Sequence, residues 1–569
     1  MVPNIRSISI HLWFAASTAR SVAQPYPLVF DTPEIYRKNI ATAETSTHPL
    51  PQRITGITVP HHLLAADLIA KTIYQASGRQ PKRILILSPD HCHRSTTPGS
   101  TTTRSFLTTT GPLAVDEAAA RELAAKPAFS ESDLFSHEHG VQALLPFIAR
   151  WFPGVPVLPV ALDARSRPAD WQRIADALQP FVTAETLVIQ STDFSHYLSQ
   201  PVAVVKDQET LRLLATGDPT RVIQLGQPDH LDSKAAQWIQ MTLQREVFKV
   251  SAPVVADNRN AIRYGGRPNE PRTTSYITQF YSPDFIPASL LPGNAWFFGG
   301  DTQFGRHLAG LFADPERAAR LRAKILNVTR SRPLIVNLEG VMLDELPDTY
   351  QNPMRIGMKS TTTLTELKRL GVTAVSVSNN HALDYGTAAR ANMIRKLTEN
   401  GFMVLDAGPP ADAGPFLLCA ATDLANLPVP ANHLLSESSF HAWRQPPVLT
   451  KPLFAFLHCG IEYAASPGRR EAQLAAWAEN AGASLVIGCH PHRPSPGWDY
   501  SPESLRFFSM GNLIFDQTDP ANTGGLIEVR FFEQGTWSAR WIALGNIYQD
   551  VVRSAALDRE SPDSPAHDQ

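Results

Sequence analysis

SLVIGCHPHR, residues 484–493, is an apolar run of strand length that ends abruptly in Cys489, His490, His492 and Arg493. Such a run followed by a polar cluster is how a buried strand of a parallel sheet reads when its carboxyl end opens on a site. His490 and His492 are two positions apart, so in an extended backbone both imidazoles point to one side, a spacing suited to a shared metal. The same design recurs outward along the chain. GGD ends in Asp301, VNLEG carries Glu339, SVSNNH ends in Asn380 and His381, and FAFLHCG carries His458. Helical patterns such as TLTELKRLG and EAQLAAWAENAGA separate these strands, and GLIEVRFFEQGTWSARWIAL reads as a hairpin turning at Gln534 and Gly535.

Taken singly, an Asp or Glu at a strand end is more often a helix cap or a solvated residue, and a lone His more often a satisfied hydrogen-bonder. Convergence of oxygen and imidazole donors from several strand ends is what a two-cation hydrolytic centre requires.

The amino-terminal half repeats the logic. ITGITVP, RILILSP, VPVLPVAL and TLVIQSTD are strands, with LLAADLIAKTIYQA and ADWQRIADALQPFV as helices between them. Seven histidines gather near their ends: His61, His62, His91, His93, His137, His139 and His196. Asp193 ends a strand three residues before His196, which suits a carboxylate orienting an imidazole. The bland alternative is a set of caps and core hydrogen bonds.

Both halves therefore read as α/β. The proline-rich, aperiodic stretch YSPDFIPASLLPGN places a linker at 283–293 between domains at 51–282 and 294–553. Residues 1–50 form an amino-terminal segment, and the polar stretch 554–569 is expected to be a disordered tail. Residues 1–23 resemble a signal peptide cleaved after Ala23, but His11 and Arg20 interrupt it, leaving periplasmic and cytoplasmic locations both open. After residue 30 no run approaches the roughly 20 apolar residues of a membrane span. A net charge of −2 offers no global field for nucleic acid. Four cysteines, three of them beside histidines, do not make a disulfide framework.

GGD, VNLEG, SNNHALDYG, HCGIEY, GASLVIGCHPHR and FFSMGNLIFD follow one another in the order of the CapA family of capsule and poly-γ-glutamate synthesis proteins, which the carboxyl-terminal half resembles. The resemblance implies a metallophosphatase-like α/β sandwich. It also implies metal-site roles for Asp301, Glu339, Asn380, His381, His458, His490 and His492, with Glu462 and Tyr463 nearby. In a metal-dependent hydrolase, His381 or His458 would assist proton transfer. Two ions, Mn, Fe or Zn, and an anionic small-molecule or polymer substrate are the corresponding expectations. Where the family usually has Trp this chain has Cys459, a packing substitution or a soft contact to metal. Arg493, where the family is apolar, is either solvated or an anion clamp.

VPHH, LILSPDH, EHGVQALLPF, VLPVAL and STDFSHY are similar to the Memo-like family, known in bacteria as AmmeMemoRadiSam system protein B, whose fold is that of extradiol dioxygenases. This implies a metal site, for one Fe or Cu, at His61, His91 and His196, with His139 and Asp193 lining the cleft. Radical-SAM and AMMECR-type companion proteins are the implied partners, so that the chain reads as an enzyme or as a metal-binding scaffold for them. Where the family pattern has a Cys-Gly ligand pair, this chain has Asp232 and Ser233. Asp232 either completes a two-histidine, one-carboxylate iron site capable of dioxygenase-like chemistry or caps the helix that follows.

Overall fold

The computed structural model describes residues 24–267, 269–347, 354–426, 431–444 and 451–560; the signal-peptide-like stretch 1–23 lies outside them. The first half is built on a nine-stranded sheet. At its centre Val157–Leu162, Arg83–Pro89, Thr186–Ser191 and Gly56–Val59 lie parallel and side by side, and all of their residues but Arg83 are buried. These are the four apolar runs read from the sequence. The edges depart from the parallel expectation: Thr273–Tyr281 is antiparallel to Gly56–Val59, and Phe194–Leu198 and Val254–Asn260 are antiparallel to Thr273–Tyr281. Polar residues on these outer strands, such as Asn258, Asn260 and Ser275, are buried in mutual hydrogen bonds, which masks the alternation a sequence reading depends on.

The segment before residue 51 is not a mere leader to the domain. Helix Pro33–Ser46 places Tyr36, Ile40 and Ala43 in the first core, the i, i+4, i+7 spacing of a single apolar stripe.

The second half stacks two sheets. One runs Met403–Leu405, Val372–Ser376, Leu334–Leu338, Asn294–Thr302, Gly524–Phe531, Trp537–Gly545, and the other runs Ala411–Asp412, Leu417–Thr422, Leu453–His458, Ala483–Cys489, Leu505–Phe507, Asp499–Tyr500. Phe298, Ile335, Phe416, Phe454, Phe456, Ile487, Val529 and Trp537 fill the space between them. The Phe454 ring stacks on Phe416 at 4.7 Å and meets Trp537 edge-on at 5.1 Å. Each such ring contributes about 1.5–3 kcal/mol through burial. Helices Arg306–Ala313, Pro315–Thr329, Ser360–Arg369 and Gly386–Glu399 cover the outer face of the first sheet, and Arg469–Asn480 covers that of the second. The result is an αββα sandwich. The hairpin around Gln534 and Gly535 forms as expected, with the Phe532 and Thr536 backbones closing it.

The proposed linker is packed rather than free. Ile286 and Leu291 enter the first core and Ala288 the second, while Arg530 donates to the Pro292 carbonyl at 2.7 Å. The hairpin turn joins the halves further: Gln534 donates to Asp207 at 2.8 Å, and Gln208 exchanges two hydrogen bonds of 2.9 Å with the Trp537 backbone. The tail expected to be disordered from residue 554 begins instead as the end of helix Ile547–Glu560. Ile547 and Val551, one turn apart, anchor that helix in the second core, and backbone hydrogen bonding carries it onward. Residues 561–569 lie outside the described residues. Among the described residues no helix is long and apolar enough to cross a membrane.

Candidate metal centres

In the first half His61 follows Gly56–Val59, His91 follows Arg83–Pro89, and Asp193 follows Thr186–Ser191, so parallel strands deliver them together. Ser233, not Asp232, caps helix Lys234–Val247 by accepting from Ala236. Asp232 is thereby free to face the histidines. His61 Nδ1 lies 3.1 Å from Ser191 Oγ, whose own proton goes to the Gly140 carbonyl at 2.5 Å. The His61 proton thus sits on Nδ1, and Nε2 points at Asp232 Oδ2, 3.2 Å away. His91 is fixed in the same way: Nδ1 donates to Glu138 at 2.6 Å, and Nε2 lies 3.8 Å from Asp232 Oδ2.

Two imidazole lone pairs aimed at one carboxylate repel it unless a positive charge lies among them. Burial disfavours protonation of His61, yet Asp193 and Asp232 raise its pKa overall, and His91 is pushed up to about 10 against its own burial by Asp232 and Glu138. Asp232 Oδ1 is buried with no hydrogen-bond partner. The donor set fits a cation. His139, expected only to line the cleft, groups with His61 and His91, their ring nitrogens all within 4.8 Å. Burial, with His91 and His61 beside it, lowers the His139 pKa to about 4, which keeps it a neutral donor. His196 is not in that group, and its buried Nδ1 lacks a partner.

In the second half Asp301 is the hub. Its position depends on close backbone packing, since a Cβ on Gly300 would come within 1.9 Å of the Gly511 carbonyl oxygen. Asp301 Oδ1 accepts from Asn337 at 2.9 Å and lies 3.7 Å from His458 Nδ1. Oδ2 accepts the His490 backbone N–H at 3.0 Å and lies 3.2 Å from His492 Nδ1. Two buried trios share this carboxylate, Asp301–His458–Cys489 and Asp301–Glu339–His492. Glu339 is fully buried and neither of its oxygens carries a hydrogen bond. Burial and the adjacent Asp301 charge push its pKa well above the carboxylate range, a penalty that a divalent cation removes. This set also fits metal.

His490 and His492 reach the site by turning, not by extending. Their φ angles are +102° and +56°, and their rings stand 6.1 Å apart. Left-handed conformers of this kind cost on the order of 1–3 kcal/mol and concentrate at functional sites.

Each half of the chain matches a different family model. Residues 33–236 match the family Memo-like protein, and residues 295–416 and 451–517 match bacterial capsule synthesis protein PGA_cap. The chain joins a Memo-like domain to a PGA_cap domain. The PGA biosynthesis protein CapA of Bacillus subtilis is 24% identical over 299 residues, 48% of this chain and 73% of its own length. A MEMO1 family protein of Caldivirga maquilingensis is 25% identical over 29% of this chain and 62% of its own length, and one of Thermotoga maritima 28% identical over 30% and 63%. The chain thus spans less than two thirds of these Memo relatives. An uncharacterized protein of Escherichia coli K12 of known structure aligns with 40% of this chain and 99% of its own at 12% identity, with a TM-score of 0.28.

Within the PGA_cap domain, the remaining expected residues take distinct places. Asn380 presents Oδ1 to His458 Nε2 at 2.8 Å and orients that ring rather than joining a trio. His381 Nδ1 is held by Asp384 at 2.7 Å, so its Nε2 faces Glu339 at 3.8 Å. Glu462, half-exposed at the mouth, lies 3.6 Å from His492 Nε2. Arg493 is engaged by Asn522 and Asp519 at 3.0 and 3.1 Å and lies against the Tyr463 ring. Cys459 packs among Leu457, Leu474 and Ala475. Its packing reading is the one the structure supports.

Sequence reasoning gave no site role to Glu138, Asn337, Asp384, Cys489 and Asn512, the last of which accepts from His492 Nδ1 at 2.8 Å. Glu138 beside His139 and Asp384 three residues after His381 were visible as histidine–carboxylate pairs.

Proposed function

We propose that the PGA_cap domain is a metal-dependent hydrolase that cleaves a phosphoester or amide bond in an anionic substrate, with a second metal centre in the Memo-like domain. One observation carries the reading: Asp301 serves two buried donor trios at once, beside a Glu339 carboxylate with no hydrogen bond on either oxygen. Divalent ions held there would supply a water of lowered pKa and a Lewis-acid contact to the scissile group.

The chain's own residues divide the remaining work. Asp301 and Glu339 balance the charge, and Asn337 keeps Asp301 in place. His381 keeps its Nδ1 proton on Asp384, which leaves Nε2 to take up or release a proton at the substrate. His458 is suited to a fixed donor rather than a proton carrier: it is 1% exposed, its Nε2–H is committed to Asn380, and burial holds its pKa well below the ordinary value. The two donor trios and the relative's name, PGA biosynthesis protein CapA, support an anionic substrate class: γ-glutamyl polymers or phosphorylated capsule precursors. In the Memo-like domain, the imidazoles of His61, His91 and His139 with the Asp232 carboxylate beside them suit Fe(II).

Chelation is expected to abolish hydrolysis across a panel of phosphodiesters and γ-glutamyl amides, and added Mn(II) or Zn(II) to restore it. Turnover that survives complete metal removal would sink the proposal.

A further inference from the structure

We infer that Cys489 is a metal ligand of the PGA_cap centre, its thiolate joining His458 Nδ1 and Asp301 Oδ1 to form a soft-donor position beside the harder one at Asp301, Glu339 and His492. This rests on the metal-centre reading above and adds to it the identity of one donor and an asymmetry between the two positions.

The backbone dictates the pairing. Cys489 and His458 are register partners on adjacent parallel strands, so their side chains stand next to each other on one face of the sheet. That face looks across the intersheet space toward Asp301 on the opposing sheet. Cys489 Sγ lies 3.3 Å from His458 Nδ1, His458 Nδ1 lies 3.7 Å from Asp301 Oδ1, and one donor atom from each of the three residues falls within 4.8 Å of the others. Two donors on one tetrahedral cation stand about 3.3–3.8 Å apart, given bond lengths of about 2.0–2.3 Å. The trio needs little adjustment to meet that spacing.

The tautomers agree. Asn380 holds the His458 proton on Nε2, so the nitrogen facing Cys489 carries a lone pair. That lone pair accepts from Asn337 Nδ2 at 3.2 Å and faces the Cys489 thiol at 3.3 Å, while the thiol's other contact, to the Leu457 carbonyl, is 3.7 Å long. On coordination the S–H bond breaks, the proton leaves for solvent and a sulfur–metal bond forms, with no electron transferred.

Independent support comes from groups that the protein leaves unsatisfied here. His490 Nδ1 is buried without a partner, and its ring centroid is 4.9 Å from that of His458. Both Glu339 oxygens are equally bare. The other buried cysteines serve as contrast: Cys459 and Cys419 lie in the apolar cluster under helix Arg469–Asn480. Thiolate and imidazole favour Zn(II) or Fe(II), whereas the carboxylate-rich position also accepts Mn(II), so the two positions differ in the ions they prefer.

The test uses the full chain, stripped by chelation and reloaded with Co(II). A sulfur-to-cobalt charge-transfer band is expected in the wild type and in Cys459→Ser and Cys92→Ser. The band is expected to vanish in Cys489→Ser and Cys489→Ala, which still bind Co(II) at the harder position, as seen in the ligand-field bands, and keep the wild-type circular dichroism. Cobalt bound without the band, or a band that survives in both Cys489 variants, overturns this inference alone. If Glu339→Gln and His492→Ala take up as much Co(II) as the wild type, the metal-centre reading fails and the inference goes with it.

Discussion

Asp301→Asn is expected to empty the PGA_cap centre, with about two metal equivalents per chain lost by elemental analysis and hydrolysis reduced to background. The effect is large because a single carboxylate belongs to both trios, one oxygen directed to His458 and the other to His492. Asparagine separates charge from packing. It preserves shape and an acceptor for either Asn337 or the His490 N–H, whereas alanine would orphan several buried partners at about 1–3 kcal/mol each. The metal bound near His61 is expected to remain, because Asp301 touches none of its donors. An Asp301→Asn protein with the full metal complement contradicts the shared-carboxylate arrangement.

The second large effect is on turnover. His381→Ala is expected to lower kcat by about 10²–10⁴, the usual contribution of a positioned acid–base group, while the metal content stays unchanged. Asp384→Asn leaves the ring in place but weakens its hold on the Nδ1 proton, and a loss of about 10–100-fold is expected. His458→Ala differs in kind: it removes a donor, so metal content and activity fall together. If His381→Ala also loses metal in proportion to activity, its role is ligation and not proton transfer.

The strands that build both centres were legible because parallel, doubly covered strands read as uninterrupted apolar runs, and a polar cluster at their carboxyl ends stands out. Edge strands such as Val254–Asn260 were not, since their buried Asn258 and Asn260 are satisfied by partners distant in sequence. Helix Pro33–Ser46 was overlooked for a different reason: three apolar contacts spaced along a polar helix are a weak signal until the surface they meet is known.

At the sites, residue type was easier to read than geometry. His490 and His492 were expected to reach a metal from an extended backbone, whereas both residues have positive φ and turn toward Asp301. Cys459, next to His458 in sequence, packs into an apolar cluster, whereas strand register puts Cys489 beside His458. Whether Asp232 capped a helix or faced His61 turned on Ser233, whose hydroxyl takes the capping role and which sequence alone could not rank above its neighbour.

Each half of the chain gathers one candidate metal centre, the second built around Asp301. Anomalous diffraction from crystals of the metal-loaded protein tests this directly. Peaks are predicted on either side of Asp301, one beside His458 and one beside Glu339 and His492, with a further peak among His61, His91 and Asp232. A fully loaded crystal with no anomalous density within bonding distance of Asp301 would contradict it.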